Sequence, residues 1–263
     1  MSSKYTFEEL KEILNRKAEE YNTPDFIETD PIQFPRKYSN KQDVEISALL
    51  TATITWGKRS IIRKSAAKMH RIMGNSPYDY IMEKGYEKLE QSNIHRTFFE
   101  DDMAFLCRGL HSIYKQYESC ESLFTAFPAG SDRLWNGINT FRMNVQEANE
   151  GFPLKSMKHV SNPVSSACKR LHLALRWLVR NDGIVDIGLW NNLSPSELQI
   201  PLDVHVIRTA HTIGLLTRKQ NDRKAVEELT TKLQMFNAND PILYDFALFG
   251  IGESKSILPS FDS

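Results

Sequence analysis

Apolar side chains in this chain recur at intervals of three and four residues, which predicts helices, and no segment sustains the two-residue alternation of a half-buried strand. Thr6-Phe7-Glu8-Glu9 has the spacing of a capping box and is followed by Leu10, Ile13 and Leu14, so an amphipathic first helix is expected before the break at Pro24. Asp30-Pro31-Ile32-Gln33-Phe34-Pro35 reads as an extended connector, since proline fixes its own backbone and disfavours helix in the residue before it. A second helix is expected over about 43–55. Val44, Ile46, Ala48, Leu49, Leu50, Ala52 and Ile54 make it apolar nearly all round, the pattern of a helix buried on most sides. Gly57 opens a third helix bearing Lys58, Arg59, Arg63, Lys64, Lys68 and Arg71, which Gly74 and Pro77 stop.

The later segments continue the pattern. Met103, Leu106, Leu110, Ile113, Tyr114 and Tyr117 mark a helix, and Ser119-Cys120-Glu121-Ser122 and Gly130-Ser131-Asp132 read as the starts of two more. Helices are expected over 164–180, from Ser194-Pro195-Ser196-Glu197, over 203–213 up to Gly214, over 222–236, and from Asp240-Pro241 onward. There is no internal repeat and no linker-like stretch. The reading is an all-α fold in one unit of two packed lobes, about 40–195 in one and 1–30 with about 200–263 in the other.

At 263 residues the chain can bury a core without disulfides. Lys plus Arg equals Asp plus Glu at 33 each, so net charge gives no argument for a nucleic-acid partner and only its distribution can. That distribution is uneven. Between Glu45 and Asp79 there is no acid, and from Gly151 to Asn181 there is again none, while Lys155, Lys158, Lys169, Arg170, Arg176 and Arg180 fall in the second window. Such sorting either presents a cationic face to phosphates or merely solvates helix exteriors. Cys107, Cys120 and Cys168 are odd in number and lack CxxC pairing, which argues against a structural zinc or a four-cysteine iron–sulfur cluster. With no signal-peptide pattern and no run of about 20 apolar residues, a cytoplasmic protein is expected, without membrane contact.

One stretch carries candidate chemistry: Ile200-Pro201-Leu202-Asp203-Val204-His205-Val206-Ile207-Arg208, with a carboxylate at the head of an apolar helix. It resembles the hydrophobic-proline-hydrophobic-Asp segment around the catalytic aspartate of the helix-hairpin-helix DNA glycosylases. Ser165-Ser166-Ala167-Cys168-Lys169-Arg170 is placed as that superfamily's second hairpin helix would be. Cys168 to Leu171, Arg176 to Arg180, Asp186-Ile187-Gly188-Leu189-Trp190 and Tyr244 to Gly250 are similar to an uncharacterised, mainly bacterial branch closer to the archaeal oxoguanine glycosylases than to the iron–sulfur endonucleases. The branch likeness runs from Asp30 over most of the chain, and the catalytic likeness from about Pro163 to Arg208.

The resemblance implies a two-lobed helical glycosylase without an iron–sulfur cluster or organic cofactor, monomeric, acting on double-stranded DNA with a damaged or extruded base. An oxidised purine is the best guess. Lys169 would be the nucleophile that attacks the sugar carbon, and Asp203 the charge that stabilises the cationic sugar. Ser161, Ser165, Lys155, Lys158, Arg170, Lys58 and Arg59 would contact the DNA, and Trp56 and Trp190 are candidates to stack on the extruded base. The chain also departs from the superfamily: His159-Val160-Ser161-Asn162-Pro163-Val164 replaces the glycine-rich hairpin turn, and 34 positions (203 − 169) separate Lys169 from Asp203.

Plainer readings stand beside these. Asp203 is also an ordinary helix cap, Lys169 alone an ordinary lysine, and tryptophans in a helical protein are more often core. His205 and His211, six apart, do not share a helix face and read as capping or core residues rather than metal ligands. Asp245 reads as structural, and Phe246 and Phe249 as core. A non-catalytic nucleic-acid-binding module on the same scaffold and a hydrolase of free nucleosides are the competing functions.

Overall fold

The structure is a computed structural model and describes residues 5–130 and 132–254. It is 64% helix and 2% strand, an all-α fold. Among the described residues no helix is long and apolar enough to cross a membrane.

Helix α1 (Phe7–Tyr21) begins with the expected capping box, Thr6 and Glu9 each bonding the other's backbone N–H. Leu10, Ile13, Leu14 and Ala18 form its buried stripe, which lies against α12 (Tyr244–Ser254) at the far end of the chain. That approach is close because α12 carries glycine where they meet: a Cβ on Gly250 would fall 2.3 Å from the Tyr21 ring. Helix α10 (Val204–Thr212) packs on α12 from the other direction, and α11 (Arg223–Phe236) meets the 3-10 turn Pro241–Leu243 that leads into it.

A second group of helices packs on α3 (Lys41–Thr53). Only its first two residues escape burial, as expected for a helix apolar on all sides. α3 contacts α5 (Pro77–Met82), α6 (Glu100–Gln116) and α9 (Lys169–Val179), while α8 (Arg133–Glu147) lies across α6 and α7 (Cys120–Thr125). One acid in α3 is fully buried and fully used. Glu45 accepts from Tyr114 Oη (2.9 Å), Cys120 N (2.9 Å), Glu121 N (3.3 Å) and Trp190 Nε1 (2.8 Å), so a carboxylate closes the amino end of α7 and ties three helices to the segment after α9.

Several elements differ from expectation. The 30–35 segment is not extended: Pro31–Gln33 and Pro35–Lys37 are 3-10 turns with proline at their first positions, and Asp30 caps the first through Ile32 N. A two-strand hairpin, β1 (Asn93–His95) with β2 (Phe98–Phe99), is too short to show periodicity in sequence. Ser194 starts only a 3-10 turn over Pro195–Glu197. α8 starts at Arg133 without a side-chain cap from Asp132, and Ser131 lies outside the described residues. Above all, the helix expected over 164–180 begins at Lys169. Asn162 Oδ1 takes Val164 N (2.9 Å), Ser166 Oγ takes Cys168 N (3.3 Å), and Cys168 is left-handed at φ 47°, so local side-chain bonds hold 162–168 in turns.

A candidate active cavity

Helical spacing gathers the lining of one large cavity. On α9, Lys169, Leu173, Arg176 and Trp177 fall on one face, and on α12 Asp245, Phe246, Phe249 and Glu253 do the same. Between them come Pro201 to His205 at the head of α10, and opposite them Thr55 to Arg59, where the chain turns from α3 into α4 (Arg59–Met73). That turn needs glycine: Gly57 has φ 97°, and a Cβ there would sit 2.7 Å from Arg96 Nη1. The enclosed volume is about 1200 Å³ and opens to solvent.

Lys169 is the first residue of α9 and points its amine at the turn after α3, donating to Thr55 O at 3.0 Å. Burial pushes its pKa below the ordinary lysine range, and the neighbouring Arg170 pushes the same way; the negative charges of Asp203, Asp245 and Asp30 hold it up, Asp203 most. Asp203 caps α10, and its Oδ1 accepts both His205 N (2.8 Å) and Val206 N (2.9 Å). Both bonds go to one oxygen, so the second carboxylate oxygen keeps its lone pairs for another partner. The cap reading and the site reading of Asp203 are therefore compatible.

Two carboxylates that the sequence did not single out as chemistry belong to the same space. Asp245 is buried and paired with Arg176; burial pushes its carboxyl up to about 6, with the charges of Asp203 and Asp186 adding to the rise against Arg176. Asp30 is likewise pushed up by burial. Phe246 and Phe249, expected as core, also line the cavity. The available signal was an acid inside the apolar run Tyr244 to Gly250, since such acids are rarely buried without a partner.

The other expected site residues divide. Trp56 lines the cavity half-buried, but its ring is already engaged: His159 stacks on it (centroids 5.8 Å), His95 meets it edge-on (4.7 Å) and the Arg170 guanidinium lies 5.4 Å from its centre. His159 in turn faces Asp102 across 3.5 Å. Lys58, Arg59, Lys158, Arg170 and Ser161 line the cavity too. Arg59 lies over Phe26 (5.2 Å) and Phe249 (4.8 Å) and pairs with Glu253 at 3.1 Å.

Trp190 must be withdrawn as a base-stacking candidate, because it is 1% exposed and its indole N–H is committed to Glu45. Lys155 lies away from the cavity in an ion pair with Asp101 at 2.7 Å. Ser165 is exposed but does not line the cavity, where Ser166 takes its place. Arg176 and Arg180, counted above toward a cationic face, are buried in a network with Asp186, Asp245, Asp240 and Asp182. They join α9 to the carboxyl-terminal helices and are not available to an outside anion. The three thiols are buried, and burial pushes that of Cys168, beside Lys169, up to about 11.

No group of three or more His, Cys, Asp or Glu is placed to hold a metal among the described residues, and His205 instead lies near Gly252 O at 3.4 Å. No curated protein and no solved structure matches the chain. A family model does, over residues 30–254, a span that takes in every residue lining the cavity except Phe26, which lies in α2 (Pro24–Thr29). The chain belongs to that family, whose description is "Protein of unknown function (DUF2400)".

Proposed function

We propose that the protein is a DNA glycosylase with lyase activity, built on a helix-hairpin-helix glycosylase type of scaffold. One observation carries the reading: an amine whose proton is loosened by burial and a carboxylate with a spare oxygen share a solvent-open cavity. Its volume, about 1200 Å³, accepts an extruded nucleotide.

In this mechanism the neutral Lys169 amine attacks C1′ of the sugar while the C1′–N bond to the base breaks. The electron pair of that bond leaves with the base, which takes up a proton. Asp203 offsets the positive charge that develops on the sugar as the bond lengthens. The amine nitrogen gives up one proton, the C1′–O4′ bond breaks with its electron pair going to O4′, which is protonated, and a protonated Schiff base forms. Its positive nitrogen takes up the electrons released by loss of the 2′ proton, and the C3′–O bond then breaks with its electron pair leaving on the 3′ phosphate. Lys58, Lys158, Arg170 and Ser161 supply donors to the strand, and an oxidised purine remains the best-fitting base by resemblance.

The second reading is a non-catalytic nucleic-acid-binding module. It draws support from Asp203, whose two cap bonds already give it a structural duty. Borohydride trapping separates the two. A covalent adduct with oxoguanine-containing or uracil-containing duplex, absent in Lys169→Gln, is the result expected of the glycosylase. Salt-sensitive binding with neither adduct nor base release would leave the module.

A further inference from the structure

Beside the main cavity lies a smaller, more open notch of about 420 Å³ in which cations from three elements converge. Arg142 comes from α8, Lys158 from the 3-10 turn Leu154–His159, and Arg170 from α9. Among the described residues no acid lines the notch, and none of the three cations has a carboxylate within ion-pairing distance. Arg142 and Arg170 each bond a backbone carbonyl, Val160 O and Thr53 O (the latter at 3.0 Å), which fixes both guanidinium planes while leaving further N–H groups free. Lys158 is exposed and makes no bond to the protein. Ser161 adds a hydroxyl on the side shared with the main cavity, while that of Ser166 is engaged with Asn162 O at 3.0 Å.

Like charges held together without a counter-charge repel, and an anion that accepts from two fixed guanidiniums and an ammonium removes that repulsion. We propose that the notch is a phosphate-binding subsite, filled by a phosphate of a nucleic-acid strand whose adjoining nucleotide reaches the main cavity. The second half of this statement rests on the reading of the cavity as a nucleic-acid site; the preference for phosphate does not.

Isothermal titration of the full chain with inorganic phosphate and with a 5′-phosphorylated tetrathymidylate tests both halves. Both probes are expected to bind, the oligonucleotide more tightly, and Lys158→Gln and Arg142→Gln are each expected to weaken binding about tenfold. Arg142→Gln also removes the bond to Val160 O, so Lys158→Gln, which breaks no contact within the protein, is the decisive variant. Failure of the wild type to bind either probe, or wild-type affinity in Lys158→Gln, overturns the subsite. Inorganic phosphate binding as tightly as the oligonucleotide overturns the strand. Binding weakened by Lys158→Gln in a protein that traps no borohydride adduct would remove excision and keep the notch, whereas a trapped adduct with unchanged binding would do the reverse.

Discussion

Lys169 carries two opposed influences, and their balance fixes when its amine can react. Burial and Arg170 favour the neutral form, while Asp203, Asp245 and Asp30 favour the ammonium. An amine is nucleophilic only above its pKa, so trapping on a preformed abasic-site duplex should climb as pH rises, with a midpoint below the ordinary lysine value of about 10.4. Asp203 is the largest of the charges retaining the proton, so Asp203→Asn should move that midpoint further down. A midpoint unmoved by the substitution would contradict the placement of the two groups in one field. Trp190 gives the complementary case. Trp190→Phe should leave DNA binding and trapping intact but cost about 1–3 kcal/mol in urea unfolding, because one acceptor site on the buried Glu45 carboxylate loses its donor.

Among the elements, α9 does the most to assemble the site, and its inner face is held by charge. Asp186, fully buried, bonds both Arg176 Nε (3.2 Å) and Arg180 Nη1 (2.9 Å). Asp186→Asn leaves two buried guanidiniums short of a counter-charge and should lower stability by about 3–5 kcal/mol; a urea midpoint equal to that of the wild type would show the network to be dispensable. The helices themselves were legible in the chain because their apolar stripes are long: α1, α3, α10 and α11 begin within two residues of their expected starts. The 164–168 stretch, expected as the first part of the helix over 164–180, was not legible. Its residues fit a helix by apolar spacing, and only the side-chain bonds of Asn162 and Ser166 and the left-handed Cys168 decide otherwise. Of the candidate site, Lys169 and Asp203 were named through the family resemblance that their segments carry, since each alone reads as an ordinary lysine or helix cap. Asp245 offered only the signal of an acid in an apolar run and Asp30 offered none, because their meeting with Lys169 depends on how α9, α12 and the turn at Asp30 converge, which no local pattern records.

At the scale of the whole molecule, equal numbers of acids and bases conceal a sorted arrangement. Many of the basic residues are consumed internally: Arg63 bonds Glu28 O (2.9 Å), Lys68 pairs with Glu100 (3.2 Å), and Arg176 and Arg180 are sealed among aspartates. Those left unpaired around the cavity, Lys58, Lys158 and Arg170 among them, come from different elements and converge only on folding. Lys58→Ala should therefore weaken oligonucleotide binding and flatten its dependence on salt, whereas Lys155→Ala, which removes a surface ion pair outside the cavity lining, should change neither when both are followed by fluorescence anisotropy across a salt series. Equal effects of the two would mean that strand contact is not localised at the cavity.

The most direct measurement on the cavity is to find where an abasic sugar attaches. Protein incubated with an abasic-site duplex under borohydride, then digested and read by mass spectrometry, should carry the reduced sugar on the peptide containing Lys169 and on no other lysine. Attachment at Lys58, Lys158 or elsewhere, or no attachment at any pH, would contradict the assignment of this amine and this cavity to glycosidic chemistry.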